Sequence, residues 1–214
     1  MAGTKSTRAT VYNKPGAGVR TMETTRWLTA LWIKVLGGEA EAVADRPRDA
    51  RRGAVAEEAV DSPLGELPAE FFVVNDFVSE SGKIDHIVIS TKGIFILDTK
   101  SHKGVVTCEG EMLERDGKPF EEDFIKQAWA EAYSIRDHLT EKGVCNLRPQ
   151  PVIVFTEADV QVKEKVRGVK IIGIKDLHAF LKGLPNWMSG RLSNGIINCL
   201  SSTRNHSPKL QKGS

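Results

Sequence analysis

Apolar and polar positions change period several times along the chain, and each period predicts an element. From Phe71 to Val78 the run FFVVNDFV crowds aromatic and β-branched residues together and predicts a strand, closed by Gly82. Two further strands follow directly, Ile84 to Ile89 and Ile94 to Leu97. Gly104 to Thr107 and Met112 to Glu114 flank a Cys-Glu-Gly-Glu turn, which predicts a small peripheral hairpin. The period then switches: Phe124, Ala128, Ala132, Ile135 and Leu139 advance by three or four residues, so Glu121 to Glu141 is predicted as a helix. PVIVF (Pro151 to Phe155) and VKIIGI (Val169 to Ile174) are unbroken apolar runs, suited to strands covered on both faces. A helix is expected from Lys175 to Leu181, and a weaker one from Trp187 to Leu200, with Gly190 and Gly195 inside it.

Upstream, DARRGAVAEEAV predicts a helix capped by Asp49, with Pro63 just beyond its end. Trp27, Leu28, Leu31, Trp32 and Val35 recur at helical spacing and predict a short amphipathic helix docked on the body or a partner. A polar linker containing Pro47 joins the two. The pattern divides the chain into a basic tail (1–24), an amphipathic helix with its linker (25–47), one layered α/β domain (48–184), and a C-terminal helix and tail (185–214). No internal repeat is visible.

Composition narrows this little. The 214 residues suit one core with extensions. Thirty basic and 28 acidic residues nearly cancel, so any nucleic-acid contact must come from local charge. Lys5, Arg8, Lys14 and Arg20 occur before any acid and read as a solvated tail, with a nucleic-acid-binding arm as the alternative. Cys108, Cys145 and Cys199 are odd in number and far apart, with no CxxC pair, which fits a reducing cytoplasm better than a disulfide framework. The apolar stretch Trp27 to Leu36 is far shorter than the ~20 residues that span a bilayer, and no secretory signal is evident, so no membrane partner is expected.

Charge becomes informative in KIDHIVISTKGIFILDTKSHKG, Lys83 to Gly104. If Lys92 and Gly93 form a two-residue hairpin loop, Asp85 lies opposite Lys100 and Ile87 opposite Asp98. A four-residue loop from Ser90 to Gly93 shifts the pairing but keeps Asp85, Asp98 and Lys100 on one face, whereas a three-residue loop separates the two acids. Ile87, Ile89, Ile94 and Ile96 share the face of the acids; Ile84, Val88, Phe95 and Leu97 take the other. Both sides then need cover, as in a central hairpin. Two carboxylates this close raise at least one pKa unless a cation neutralises them, and a hard divalent ion such as Mg²⁺ suits oxygen donors. The bland reading is an Asp98–Lys100 pair at a solvated sheet end, of little energetic consequence.

The same stretch resembles the nuclease-related domain family, a branch of the PD-(D/E)xK nuclease superfamily, and the resemblance extends over roughly Ala50 to Leu184. IDHIVISTKGIFILDTKSHKG is similar to the family's Ile-Asp-His strand, glycine turn and acid-x-Lys strand with a downstream glycine. GAVAEEAV is similar to its upstream helix, where a glutamate follows Gly-x-x-Gly; Gly53 and Glu57 match, and Ala56 replaces the second glycine. Neighbours on a helix point about 100° apart, so only one of Glu57 and Glu58 can face the site, and Glu57 is chosen. Gln127 matches a glutamine of the family's later helix, although a residue beside an apolar stripe is more often a boundary residue.

The resemblance implies a three-layer α/β/α fold around a small central mixed sheet, restriction-endonuclease-like, and a metal-dependent nuclease acting on DNA. It implies Mg²⁺, with Mn²⁺ as a substitute, held by Asp85, Asp98 and the backbone carbonyl of Thr99, with Glu57 completing the shell. Lys100 would orient water and offset transition-state charge. Gln127 would contact nucleic acid. Read from the residues themselves, His102 and Lys103 make with Lys100 a small basic cluster suited to nucleic-acid phosphate contact, with a solvated strand end as the equal alternative, while His86 falls on the opposite face from Asp85 and is read as packing. A non-catalytic nucleic-acid-binding or assembly domain is the alternative. A nucleotide-binding α/β domain fares worse, since neither GxGxxG nor GxxxxGK[ST] occurs. Oligomeric state stays open, a dimer included.

Overall fold

A computed structural model describes residues 46–202, and side chains from residue 55 onward. The expected tail, the amphipathic helix at Trp27 to Val35 and the C-terminal end after 202 lie outside the described residues.

The described chain runs α1 (Arg46–Gly65), β1 (Phe72–Ser79), β2 (Gly82–Ser90), β3 (Gly93–Glu109), β4 (Met112–Arg115), β5 (Lys118–Pro119), α2 (Phe124–Glu141), β6 (Gln150–Val160), β7 (Lys170–Gly173), α3 (Ile174–Gly183) and α4 (Gly190–Ser202). These helices and one seven-stranded, mostly antiparallel open sheet make a mixed α/β architecture. The sheet is larger than the small one expected. β1, β2 and β3 pair antiparallel in sequence order, while β6 joins β3 in parallel and β7 joins β6 in parallel.

The long β3 organises the sheet. Its first half pairs with β2, and its second half pairs with β4 from Val106 to Glu109. The hairpin expected at Gly104 to Glu114 is therefore no separate peripheral unit: its first strand is the continuation of β3. A bend marks the join. Gly104 has φ of +102°, and a Cβ there would lie 2.3 Å from an Asp116 carboxylate oxygen, whose partner oxygen Oδ1 accepts from Val105 N at 2.8 Å. Gly104→Ala should cost roughly 1–3 kcal/mol through backbone strain and loss of that contact. The check is a lowered urea midpoint with an unchanged slope; an unchanged midpoint would mean that the turn relaxes freely.

Helices cover both faces. On one, α2 contributes Ala132, Ile135 and Leu139 and α4 contributes Ile196 and Leu200 against Ile87, Ile89, Ile94 and Ile96. On the other, Val60 and Leu64 of α1 and Leu177 and Leu181 of α3 meet Val88, Phe95, Leu97, Val152 and Val154. Ile153, Phe155 and Ile171 pack under the first turns of α2, so β6 is covered on both sides, as its unbroken apolar run requires.

Three local expectations are corrected. α1 begins at Arg46, so Asp49 lies inside the helix rather than at its cap, and Pro47 belongs to the first turn, where no intrahelical N–H is lost. α1 also continues through Pro63 to Gly65, because the buried Leu64 anchors its last turn on the sheet. Ile84 packs on the α2 side with Phe77, opposite to the expected face. The cause is Asp76, which has φ of 55°. The inward residues of β1 step by two from Phe72 to Val74 and then by three to Phe77, and those of β2 shift in concert, from Ile89 and Ile87 to Ile84.

Among the described residues no helix is long and apolar enough to cross a membrane. Cys108, Cys145 and Cys199 are free thiols.

Candidate active site

The β2–β3 turn sets the geometry. Ser90 pairs with Gly93, Ile89 with Ile94 and His86 with Leu97, so the tip is Thr91–Lys92 rather than Lys92–Gly93. This is the register of the four-residue alternative. Gly93, at φ of +139°, closes the turn, and Trp187 N and Met188 N both donate to the Thr91 carbonyl and hold the tip in place. The loop is even, so the parity that keeps both acids together survives. Asp85 and Asp98 are the next residues along after His86–Leu97, and Asp85 thus lies by Asp98 rather than opposite Lys100.

The two strands part at that point. Instead of a ladder bond, the Thr99 N–H donates to Asp85 Oδ2 at 2.9 Å. In an extended strand the N–H and C=O of one residue point the same way, so the Thr99 carbonyl also faces β2. Asp98 is buried, 3% exposed, and its Oδ1 lies 2.8 Å from Lys100 Nζ, while Oδ2 has no partner. Lys100 Nζ also donates to Gln127 Oε1 at 3.1 Å and lies 4.6 Å from the centre of the Phe124 ring. Gln127 in turn donates through Nε2 to Glu131 Oε1 at 3.1 Å.

A second ammonium stands on the other side of Asp85. Lys83 Nζ contacts Glu57 Oε2 at 2.5 Å and Asp76 Oδ1 at 2.8 Å. The left-handed backbone at Asp76 accompanies this contact; Asp tolerates that region better than most residues. Glu57 is half-buried, whereas Glu58 is exposed. Beneath them Asp61 accepts from Asn75 Nδ2 at 3.2 Å and lies 3.6 Å from His86 Nε2.

Electrostatics follow from this crowding. Burial and then the charge of Asp98 raise Asp85 to about 6, against the Thr99 hydrogen bond and both lysines. Burial, with Asp98 and Asp85 next, raises Glu131 to about 8. Burial and Asp85 raise Glu57 to about 7, although Lys83 opposes them. Asp61 rises to about 7 by burial and the charges of Asp76 and Glu57. Asp98 is raised by burial, with Lys100 opposing. Burial alone would lower Lys83, but Glu57 and Asp76 outweigh it and raise it. His86 is driven down to about 4 by burial.

The fold thus brings together Glu57, Asp85, Asp98, Thr99, Lys100 and Gln127. His102 shares the Phe124 ring with Lys100, and Lys103 lies further along β3. The His102 ring nests among Phe120, Phe124 and Phe155, at 5.1, 5.4 and 6.1 Å between centres, so it serves an aromatic cluster rather than an outward phosphate contact. Lys103 is exposed and pairs with Glu157 at 3.1 Å, past a register shift in β3. His86 is buried on the α1 side, away from Asp98.

Two residues at this end escaped the sequence reading. Glu131 could have been found from its place on the buried face of α2, three residues after Ala128 and one turn after Gln127, where packing asks for no acid; Lys83 reads only as a polar strand start.

The family model of the nuclease-related domain matches residues 52–156. This segment is a nuclease-related domain. No curated protein and no solved structure matches the chain. The matched segment of the domain includes α1 from its second turn, the hairpin that carries Asp85 and Asp98, and α2 with Gln127 and Glu131.

Does the domain's donor set suit a divalent cation? No group of three or more His, Cys, Asp and Glu side chains among the described residues is arranged to hold a metal ion: Glu57 is tied to Lys83, Asp98 Oδ1 to Lys100 and Asp85 Oδ2 to Thr99. The chemistry of the donors nonetheless fits. Asp98 Oδ2 is a buried oxygen without a hydrogen-bond partner, and burial raises the neighbouring Asp85 and Glu57, a cost that a hard cation would offset.

Proposed function

We propose that this protein is a Mg²⁺-dependent nuclease that hydrolyses phosphodiester bonds in DNA, on a restriction-endonuclease-like fold. One observation carries the reading. In a nuclease-related domain, Asp85 accepts from the Thr99 N–H directly beside the buried Asp98–Lys100 pair, so two acids and an ammonium share one sheet end.

Asp85, Asp98 and the Thr99 carbonyl are the groups that would hold Mg²⁺, with Glu57 joining on release from Lys83. The bound ion would supply charge for the phosphoryl oxygens and a water made more acidic. The chain's own residues do the rest. Asp98 holds Lys100 Nζ at 2.8 Å and aims it along the sheet end. Lys100 donates to the attacking water or to a phosphoryl oxygen, lowering the energy of charge that builds up there. Gln127 supplies Lys100 with a second acceptor, so that the ammonium is shared between two partners.

The test is incubation of the purified chain with linear and circular DNA, with Mg²⁺, with Mn²⁺ and with EDTA. Products that need the metal support the reading. DNA retarded on a gel, with no products at any metal concentration, supports instead a non-catalytic binding domain; the 2.5 Å contact that ties Glu57 to Lys83 favours that alternative. Glu57→Ala should lower metal-dependent cleavage by about 10–100-fold, whereas Glu58→Ala, on the exposed side of α1, should change it by less than about twofold. Measured rates in the reverse order would reassign the third acid.

A further inference from the structure

One buried acid at this end has no part in the chemistry above. Glu131 is 6% exposed, lies on α2 one turn beyond Gln127, and keeps Oε2 buried without a hydrogen-bond partner. An i,i+4 Gln–Glu pair does little for a helix, far less than burial of a carboxyl costs, so helix stability does not explain its place. Its contact does. We propose that Glu131 is a positioning residue for Lys100, acting through the Gln127 amide.

The two ends of that amide are opposite in kind. Gln127 Oε1 accepts from Lys100 Nζ at 3.1 Å, and Nε2 donates to Glu131 Oε1 at 3.1 Å. The flipped amide would set its NH₂ against the Lys100 ammonium, two donors with no acceptor between them, and would take from Glu131 Oε1 the donor it now has. Glu131 thereby fixes which end of Gln127 faces Lys100. Gln127 is exposed, so without Glu131 its amide would turn freely in water. Lys100 would then lose a fixed acceptor and lean wholly on Asp98, 2.8 Å away, closing over the oxygens that the site needs. With the chain intact, the row Glu131–Gln127–Lys100–Asp98 holds the ammonium between two acceptors, its stem against the Phe124 ring.

This inference rests on the nuclease reading for its catalytic consequence, but its geometric content can be measured alone. The full chain would be prepared as wild type, Glu131→Gln and Glu131→Leu, and Lys100 labelled with ¹⁵N so that its ammonium gives a signal only when held from exchange with water. Glu131→Gln keeps an acceptor oxygen and should retain the signal and cleavage within about threefold. Glu131→Leu should lose the signal and lower kcat by about 10–100-fold with KM unchanged. Thermal melting shows that each variant is folded; if Glu131→Leu does not fold, Gln127→Met on the exposed flank must reproduce the loss. The proposal is overturned if wild type gives no held Lys100 ammonium, if Glu131→Leu keeps it, or if Glu131→Gln loses it. Should wild type cleave nothing, the nuclease reading fails, and the ammonium signals of the three forms still decide the positioning role.

Discussion

Asp98→Asn is expected to abolish Mg²⁺-dependent cleavage, by more than about 100-fold, while the protein melts at pH 8 within a few degrees of wild type. The two halves of this expectation have separate causes. Asparagine has the size of aspartate and keeps an oxygen 2.8 Å from Lys100 Nζ, so the packing around a side chain only 3% exposed is preserved. Exchanging a charge-assisted bond for a neutral one costs about 1 kcal/mol. The charge removed, however, is one that raises Asp85 and Glu131, and its loss relieves them both. These terms oppose one another, so stability is expected to change little. Cation affinity has no such compensation, because the buried, partnerless Oδ2 becomes an amide or loses its charge. Cleavage products and a melting curve on the same preparation decide it. A variant that cleaves at the wild-type rate removes Asp98 from the site.

The parts of this site that were legible in the sequence are those set by parity. An even loop keeps Asp85 and Asp98 together whether two or four residues turn the chain, and only the identity of the tip was misplaced, because Gly93 draws the eye as a loop residue yet pairs with Ser90. Periodicity likewise located α2 and the strands of the sheet, since apolar spacing is what burial selects. Features that escaped depend on conformations that several residue types adopt. Asp76 enters the left-handed region without a glycine to signal it, and Ile84 changes face in consequence. The polar stretch Thr99 to Lys103 breaks the apolar alternation, which hid the continuity of β3 through to Glu109. His102 looked basic and outward from its neighbours in sequence; Phe120, Phe124 and Phe155, which pack against it, come from two other places in the chain, the lead into α2 and β6.

Without divalent cation, stability should fall as pH rises from 6.5 to 8, by about 1–3 kcal/mol, and Mg²⁺ should return most of it. Glu57, Asp61 and Glu131, raised to about 7, 7 and 8, hold protons in the folded state that the unfolded chain has released. A raised carboxyl favours folding at low pH, and that contribution is lost as pH climbs through the folded value. The same sign applies to Asp85, raised to about 6, but most of its loss is complete below 6.5. His86 acts the other way: at about 4 in the fold against an ordinary 6.5, it makes stability rise with pH between those values. The two effects therefore offset each other in acid, and only above 6.5 do the carboxyls act alone. The total stays below the simple sum because each proton retained by one acid eases its neighbours. Mg²⁺ held as proposed would compete with those protons and bind the folded state only, so its stabilisation should be larger at pH 8 than at 6.5. Glu131→Gln should flatten the slope, having no proton to lose. Urea midpoints in EDTA at half-unit steps would measure this; a midpoint that stays level or rises between 6.5 and 8 would mean that these acids are already ionised, and that the sheet end holds no unmet demand for a cation.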